Sequence, residues 1–126
     1  MQQFIGKGTW DDAALLEKHA ALVAGSLGEA DGVLIVDGTD FPKKGKYSAG
    51  VARQYCGATG KLDNCQAAVF VAYASRQGHT LLDRRLYLPT EWFEASSQER
   101  WQRCEIPEGT PFRSKLELAW EMLERL

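Results

Sequence analysis

Hydrophobic and polar positions alternate with two different periods along the chain. From Thr9 the spacing predicts a helix, with Thr9 as N-cap and Asp11 and Asp12 placed where the helix dipole favours acids. Leu15, Leu16, His19, Leu22 and Val23 recur at helical spacing, and Gly25 or Gly28 would end the helix. The run Val33-Leu34-Ile35-Val36 then changes the pattern. It is short, continuously apolar and mostly β-branched, and it lies between Gly32 and Gly38, so it predicts a buried strand.

Periodicity fades from Phe41 to Lys61. Pro42, Gly45, Gly50, Gly57 and Gly60 predict a long shaped loop there. A second strand is expected over about 66–74, centred on Val69-Phe70-Val71. Arg76, Gln77 and Gly78 suit a hairpin turn, and a third strand over about 80–88 should stop at Pro89. Residues 91–103 suggest a helix, with Trp92, Phe93 and Trp101 available for packing. Ser114 with Glu117 three residues on is a capping box for a last helix. Its apolar positions would be Leu116, Leu118, Ala119, Met122, Leu123 and Leu126. The expected organisation is a helical segment, residues 1–30, followed by residues 31–126 as the first part of an α/β domain.

Composition narrows the class. The chain has 126 residues, enough for one core without disulfide staples, and its 44% hydrophobic and 25% charged content is that of a globular protein. A net charge of −2 gives no global signal for nucleic acid, although local clusters still matter. The N-terminus shows no apolar run behind positive charge, and three cysteines is an odd number, so a cytoplasmic setting with free thiols is expected. No apolar stretch reaches the roughly 20 residues that would cross a bilayer, so no membrane partner is expected.

The most specific stretch is Val33-Leu-Ile-Val-Asp-Gly-Thr-Asp-Phe-Pro-Lys-Lys-Gly-Lys. With it come Ser48-Ala-Gly-Val-Ala-Arg-Gln-Tyr-Cys-Gly, Gly60-Lys-Leu-Asp-Asn-Cys-Gln, Leu86-Tyr-Leu-Pro, Trp92 and Phe112-Arg-Ser-Lys-Leu-Glu-Leu-Ala. Together these blocks resemble one group of DDE-type insertion-sequence transposases, over nearly the whole chain. The resemblance implies a partial ribonuclease-H-like fold: a helix, three antiparallel strands with a long loop after the first, and two helices, truncated before the fourth strand. It implies that Asp37 is the first aspartate of the DDE triad, both catalytic residue and metal ligand. Asp37 should then sit accessibly at the end of a central strand flanked by the Val69 and Leu86 strands. The implied cofactor is Mg²⁺ or Mn²⁺, and the implied partner is DNA, both transposon ends and target. An intact transposase or a second copy of the chain are further partners, and the implied location is the bacterial cytoplasm, on the nucleoid when DNA is bound. The resemblance places the second aspartate and the glutamate beyond Leu126, so this chain alone should be inactive. One position departs from the pattern: Asp40 stands where relatives often carry glycine.

The physical logic agrees. A hard divalent cation takes oxygen ligands, usually one or two protein carboxylates together with phosphate. Two such ions can activate water and stabilise the leaving oxygen of a phosphodiester. Lys43, Lys44, Lys46, Arg53 and Lys61 cluster in and around the loop and are the candidate phosphate contacts; Arg84 and Arg85 should point to opposite faces of a strand. Each has a plainer reading: Asp37 as an Asp-Gly turn residue, the lysines as a solvated loop, Asp40 as a loop acid. The Gly38–Gly45 stretch is no phosphate loop, since Lys43 takes the second glycine position. Cys56, Cys65, Cys104, His19 and His79 lack zinc-site spacing and suit buried thiols and ordinary histidines better. Trp10, Trp92, Trp101 and Trp120 are expected in the core. The other class of reading is a non-catalytic transposase remnant that binds DNA or an intact transposase, or a decayed reading frame without function.

Overall fold

The computed structural model describes residues 2–126. Helix α1, Gln2–Lys7, precedes α2, Asp12–Leu27. The N-cap of α2 is Asp11 rather than Thr9: its carboxylate accepts the Ala14 N–H at 3.0 Å, as an anion at a helix start should. Gly28 ends the helix. Val23 is buried, with Leu16, Ala20 and Leu27 half-buried on the same stripe, whereas Leu15 and Leu22 face solvent.

Four antiparallel strands follow: β1 Val33–Pro42, β2 Ala52–Cys56, β3 Lys61–Ser75 and β4 Gly78–Leu86. β3 is the central template. β1 pairs along it from Cys65 to Ala74, while β2 and β4 share its other edge end to end, β2 against 61–65 and β4 against 68–75.

The architecture is α/β with an open antiparallel sheet, as expected, and three expectations inside it need correction. There are four strands rather than three, because β2 forms within the supposed long loop. Its side chains alternate, Ala52 and Cys56 inward and Arg53 and Tyr55 outward, a two-residue period that a run of glycines on both sides obscures. Its hairpin closes at Gly60, whose φ of +69° and N–H bond to the Cys56 carbonyl mark a tight turn. Second, β1 does not stop at Val36 but runs through Asp37-Gly38 to Pro42, because β3 offers an unbroken ladder. Third, among the described residues β1 pairs only with β3, so the Val69 strand is central and β1 lies at the edge. Val33, Leu34, Ile35 and Val36 are consequently 42–53% exposed, not buried.

Helices α2 and α4 (Lys115–Glu124) pack on one face of the sheet. Val23, Val69, Val71, Leu82, Leu118, Ala119 and Met122 form that core. The capping box holds: the Ser114 hydroxyl accepts the Glu117 N–H at 3.2 Å and the Glu117 carboxylate accepts the Ser114 N–H at 2.7 Å. Leu116 and Leu126 nevertheless point outward. The segment expected as a helix over 91–103 is two 3₁₀ turns, Thr90–Phe93 and Ala95–Ser97, then the short helix α3, Gln98–Arg103.

Trp92 anchors this segment: it is fully buried and its Nε1–H donates to the Val51 carbonyl at 2.8 Å. Trp101 is half-buried against Phe93, but Trp10 and Trp120 are largely exposed, so only part of the tryptophan set belongs to the core. Gly50 is obligatory beside Val51, since its φ is +78° and a Cβ there would meet the Tyr87 carbonyl oxygen at 2.5 Å.

Candidate active-site face and basic loop

Strand register sorts every acid in the sheet. Residues paired directly across antiparallel strands share a face, and neighbours along a strand alternate. Val69, Val71 and Tyr73 face the helices, so Leu34, Val36 and Gly38, their partners, do too. Asp37 pairs with Phe70 and therefore lies on the opposite face, with Ile35, Thr39 and Phe41, all solvent-exposed. Asp37 is the fifth of ten strand residues, not a strand-end residue, and there is no turn at Asp37-Gly38 to support the plainer reading. One carboxylate oxygen accepts the Gly38 N–H at 2.8 Å, which limits the side chain's freedom. No cation among the described residues pairs with it.

The other acids fall on the helix-covered side. Asp40 pairs with Ala67, Asp63 lies two positions before Cys65, and Asp83 pairs with Val71. Asp40 is a strand residue rather than a loop acid. Its Oδ2 accepts the Gly57 N–H at 2.8 Å, tying β1 to the end of β2, so a carboxylate here strains nothing. Asp83 is buried and paired with Arg125 and, at 3.8 Å, with Arg84. Asp37 and these three carboxylates thus point to opposite sides of one sheet. A cation at Asp37 would find one rigid oxygen ligand and open solvent, which suits a hard ion that keeps other ligands. Among the described residues no group of three or more potential metal ligands converges.

The register sets Arg84 and Arg85 on opposite faces at the backbone, yet both guanidinium groups reach acids of the two helices. Arg84 pairs with Phe70, in the same cross-strand row as Asp37, and reaches Asp12 at 3.0 Å; Arg85 meets Glu121 at 3.1 Å. The row depends on a β-bulge between Val71 and Ala72.

The five candidate phosphate contacts do not form a single patch beside Asp37. Lys43 follows Asp37 by six residues, roughly 20 Å at about 3.3 Å per strand residue. Lys43, Lys44 and Lys46 are exposed on the turn after β1, Arg53 projects from β2 on Asp37's face, and Lys61 opens β3 with the opposite parity. The turn carrying the lysines is held on both sides. Asn64 Nδ2 donates to the carbonyls of Lys43 and Gly45, each at 2.8 Å, and the Lys43 N–H donates to the Asn64 carbonyl at 3.0 Å. From α3, Arg100 donates to the Lys46 carbonyl at 3.3 Å while lying 4.2 Å over the Trp92 ring. The Arg103 guanidinium stacks 3.9 Å over Tyr47, and the Cys104 thiol donates to the Tyr47 carbonyl at 3.2 Å. Sequence reasoning missed Asn64, Arg100 and Arg103; the only hint was that Asn64 lies in one of the distinctive blocks.

Cys56 and Cys65 are buried thiols, as expected, and Cys104 is half-buried. Burial, reinforced by the neighbouring Cys56, pushes the Cys65 thiol up to about 11. It stays protonated and unreactive at neutral pH.

An antiparallel sheet built on one long central strand, with an exposed aspartate on its first strand and helices on one face, is consistent with the opening portion of a ribonuclease-H-like domain. The family comparison agrees over the whole chain: the model described as "DDE superfamily endonuclease" matches residues 1–126, and the protein belongs to that family. No curated protein and no solved structure matches the chain. DDE endonucleases act on DNA and generally use divalent metals. No helix among the described residues is long and apolar enough to cross a membrane.

Proposed function

We propose that this chain is the part of an insertion-sequence transposase that carries the first aspartate of the DDE triad, Asp37. The observation that supports this most is the isolation of Asp37 by register: it is exposed on the open face of β1, while Asp40, Asp63 and Asp83 point to the covered side. A bound Mg²⁺ or Mn²⁺ would supply activation of water or of a DNA 3′-hydroxyl for phosphodiester cleavage and strand transfer. Asp37 offers that ion one carboxylate on a rigid strand, and Gly38 orients it. Lys43, Lys44, Lys46 and Arg53 are contacts for DNA phosphates, roughly six base-pair steps from Asp37 at about 3.4 Å each rather than at the scissile bond. Lys61 contributes to the same field from the hairpin end.

The remaining carboxylates must come from elsewhere than these strands, from further sequence or from a partner transposase chain. The chain by itself therefore neither cuts nor joins DNA, since one ligand does not hold two ions at fixed separation. Two measurements test the proposal. Mn²⁺ added to the isotope-labelled protein should broaden amide signals around Asp37 and Phe70, and Asp37→Ala should abolish that broadening. Broadening centred elsewhere and unchanged by the substitution would sink the assignment. Supercoiled plasmid should remain intact with either metal; nicking that Asp37→Ala removes would show that a complete site exists within these residues.

A further inference from the structure

The block Gly60-Lys-Leu-Asp-Asn-Cys-Gln is as distinctive as the aspartate motif, yet the metal chemistry leaves it without a role. Its central residues sit on β3 where the chain leaves β1 and returns along β2, spanning residues 43–51. Asn64 and Gln66 share one face of β3, two residues apart. Asn64 uses both amide protons on carbonyls of the turn, those of Lys43 and Gly45, and its own carbonyl takes the Lys43 N–H. Gln66 Nε2 donates to the Ala49 carbonyl at 2.7 Å. The two amides therefore grip the connection at both ends, around the three exposed lysines.

Arg100, Arg103 and Cys104 hold the far side of the turn at Lys46 and Tyr47, but the stretch from Lys43 to Gly45 is fixed by Asn64. It has no apolar core of its own, and Gly45, at φ +82°, packs against nothing, with no atom within 4 Å of a Cβ position. A loop tied by side-chain amides presents its charges in one arrangement, which lowers the ordering cost when a ligand binds. An asparagine serves here because only an amide gives two donors on one short arm.

We infer that Asn64 is a positioning residue for DNA binding: by clamping the carbonyls of Lys43 and Gly45 it presents Lys43, Lys44 and Lys46 to the phosphate backbone. This rests on the reading that the basic turn contacts DNA. Asn64 itself touches no phosphate.

The test is a double-mutant cycle on the full chain, read as affinity for a random-sequence duplex across a salt series. Replacing Lys43, Lys44 and Lys46 with Ala should weaken binding and flatten the salt slope, by up to about 0.9 for each phosphate no longer neutralised. Asn64→Ala, which leaves the net charge unchanged, should weaken binding about tenfold, the scale of one or two neutral hydrogen bonds. In the triple-alanine background the same substitution should have no further effect. A merely structural role would give equal losses in both backgrounds, and that result would overturn the inference, as would full affinity in Asn64→Ala. If the triple substitution itself leaves affinity and salt slope unchanged, the DNA reading of the turn falls and the inference with it. Should Asn64→Ala fail to fold, Gln66→Met carries the same cycle, since it removes the donor to Ala49 and keeps the side-chain length. Amide exchange over residues 43–50 should quicken in either variant, and unchanged protection would show that the turn is not held by these amides.

Discussion

Trp92→Phe should destabilise the fold by about 2–4 kcal/mol and also loosen the basic turn. Trp92 is fully buried, as is Val51, whose carbonyl takes the indole N–H at 2.8 Å and has no other donor among the described residues. Phenylalanine removes that donor and strands a buried carbonyl, which costs about 1–3 kcal/mol. It also removes ring volume from a packed site; full truncation of a buried tryptophan costs about 3–5 kcal/mol, and the loss of one ring is a fraction of that. The Arg100 guanidinium, 4.2 Å over the ring, loses part of its stacking surface, worth about 0.5–1 kcal/mol at a partly exposed site. Against a total stability of about 5–15 kcal/mol for a domain, this is a large shift. Urea unfolding followed by far-ultraviolet circular dichroism would read it as a lower midpoint at constant slope. Trp101→Phe is the internal control: Trp101 is half-buried against Phe93, its ring forms no hydrogen bond among the described residues, and the substitution should cost less than about 1 kcal/mol. Equal losses in the two variants, or a Trp92→Phe loss below about 0.5 kcal/mol, would refute the argument that the Val51 bond fixes this segment.

Two further outcomes follow from single features. Glu121 is held below its ordinary 4.5 first by its hydrogen bond with Arg113, and Glu117 by the Ser114 backbone N–H. Both folded-state values are depressed, so their contribution is complete above about pH 5 and is lost as pH falls through the depressed values. The melting temperature should therefore decline in acid, less steeply in Glu121→Gln; identical declines would refute a role for the pair. The exposed β1 edge gives the other prediction. Ile35→Lys should reduce self-association in light scattering without lowering the melting temperature, because Ile35 is 48% exposed and a lysine on an edge strand opposes pairing with another strand. Unchanged association would place the sticky surface elsewhere.

What could be read from the sequence was what depends on near neighbours. The capping box at Ser114 and Glu117 closes within four residues, and the apolar run at Val33 announces a strand whatever it pairs with. The bounds of β1 were not legible, because Asp37-Gly38 has the chemistry of a turn and only the ladder to β3 carries the strand through it. The same holds for the burial of Val33–Val36: an apolar run reports that a strand suits neighbours on both faces, not that the described residues supply them. The sorting of acids was least legible, and one residue decides it. Beyond the bulge, Tyr73 pairs with Thr80 and Ala72 with Leu81; continued without interruption, that register would set Asp83 opposite Phe70, in the row of Asp37. The extra residue at the bulge moves Asp83 to Val71, on the covered face where Arg125 meets it, and brings Arg84 into the row instead. A bulge re-aims every side chain after it. Here it takes a second carboxylate out of the row of the proposed metal ligand, and the Arg84 that replaces it in register turns its guanidinium to Asp12, so that Asp37 faces solvent as the one acid of its row, which no count of acids along the chain could reveal.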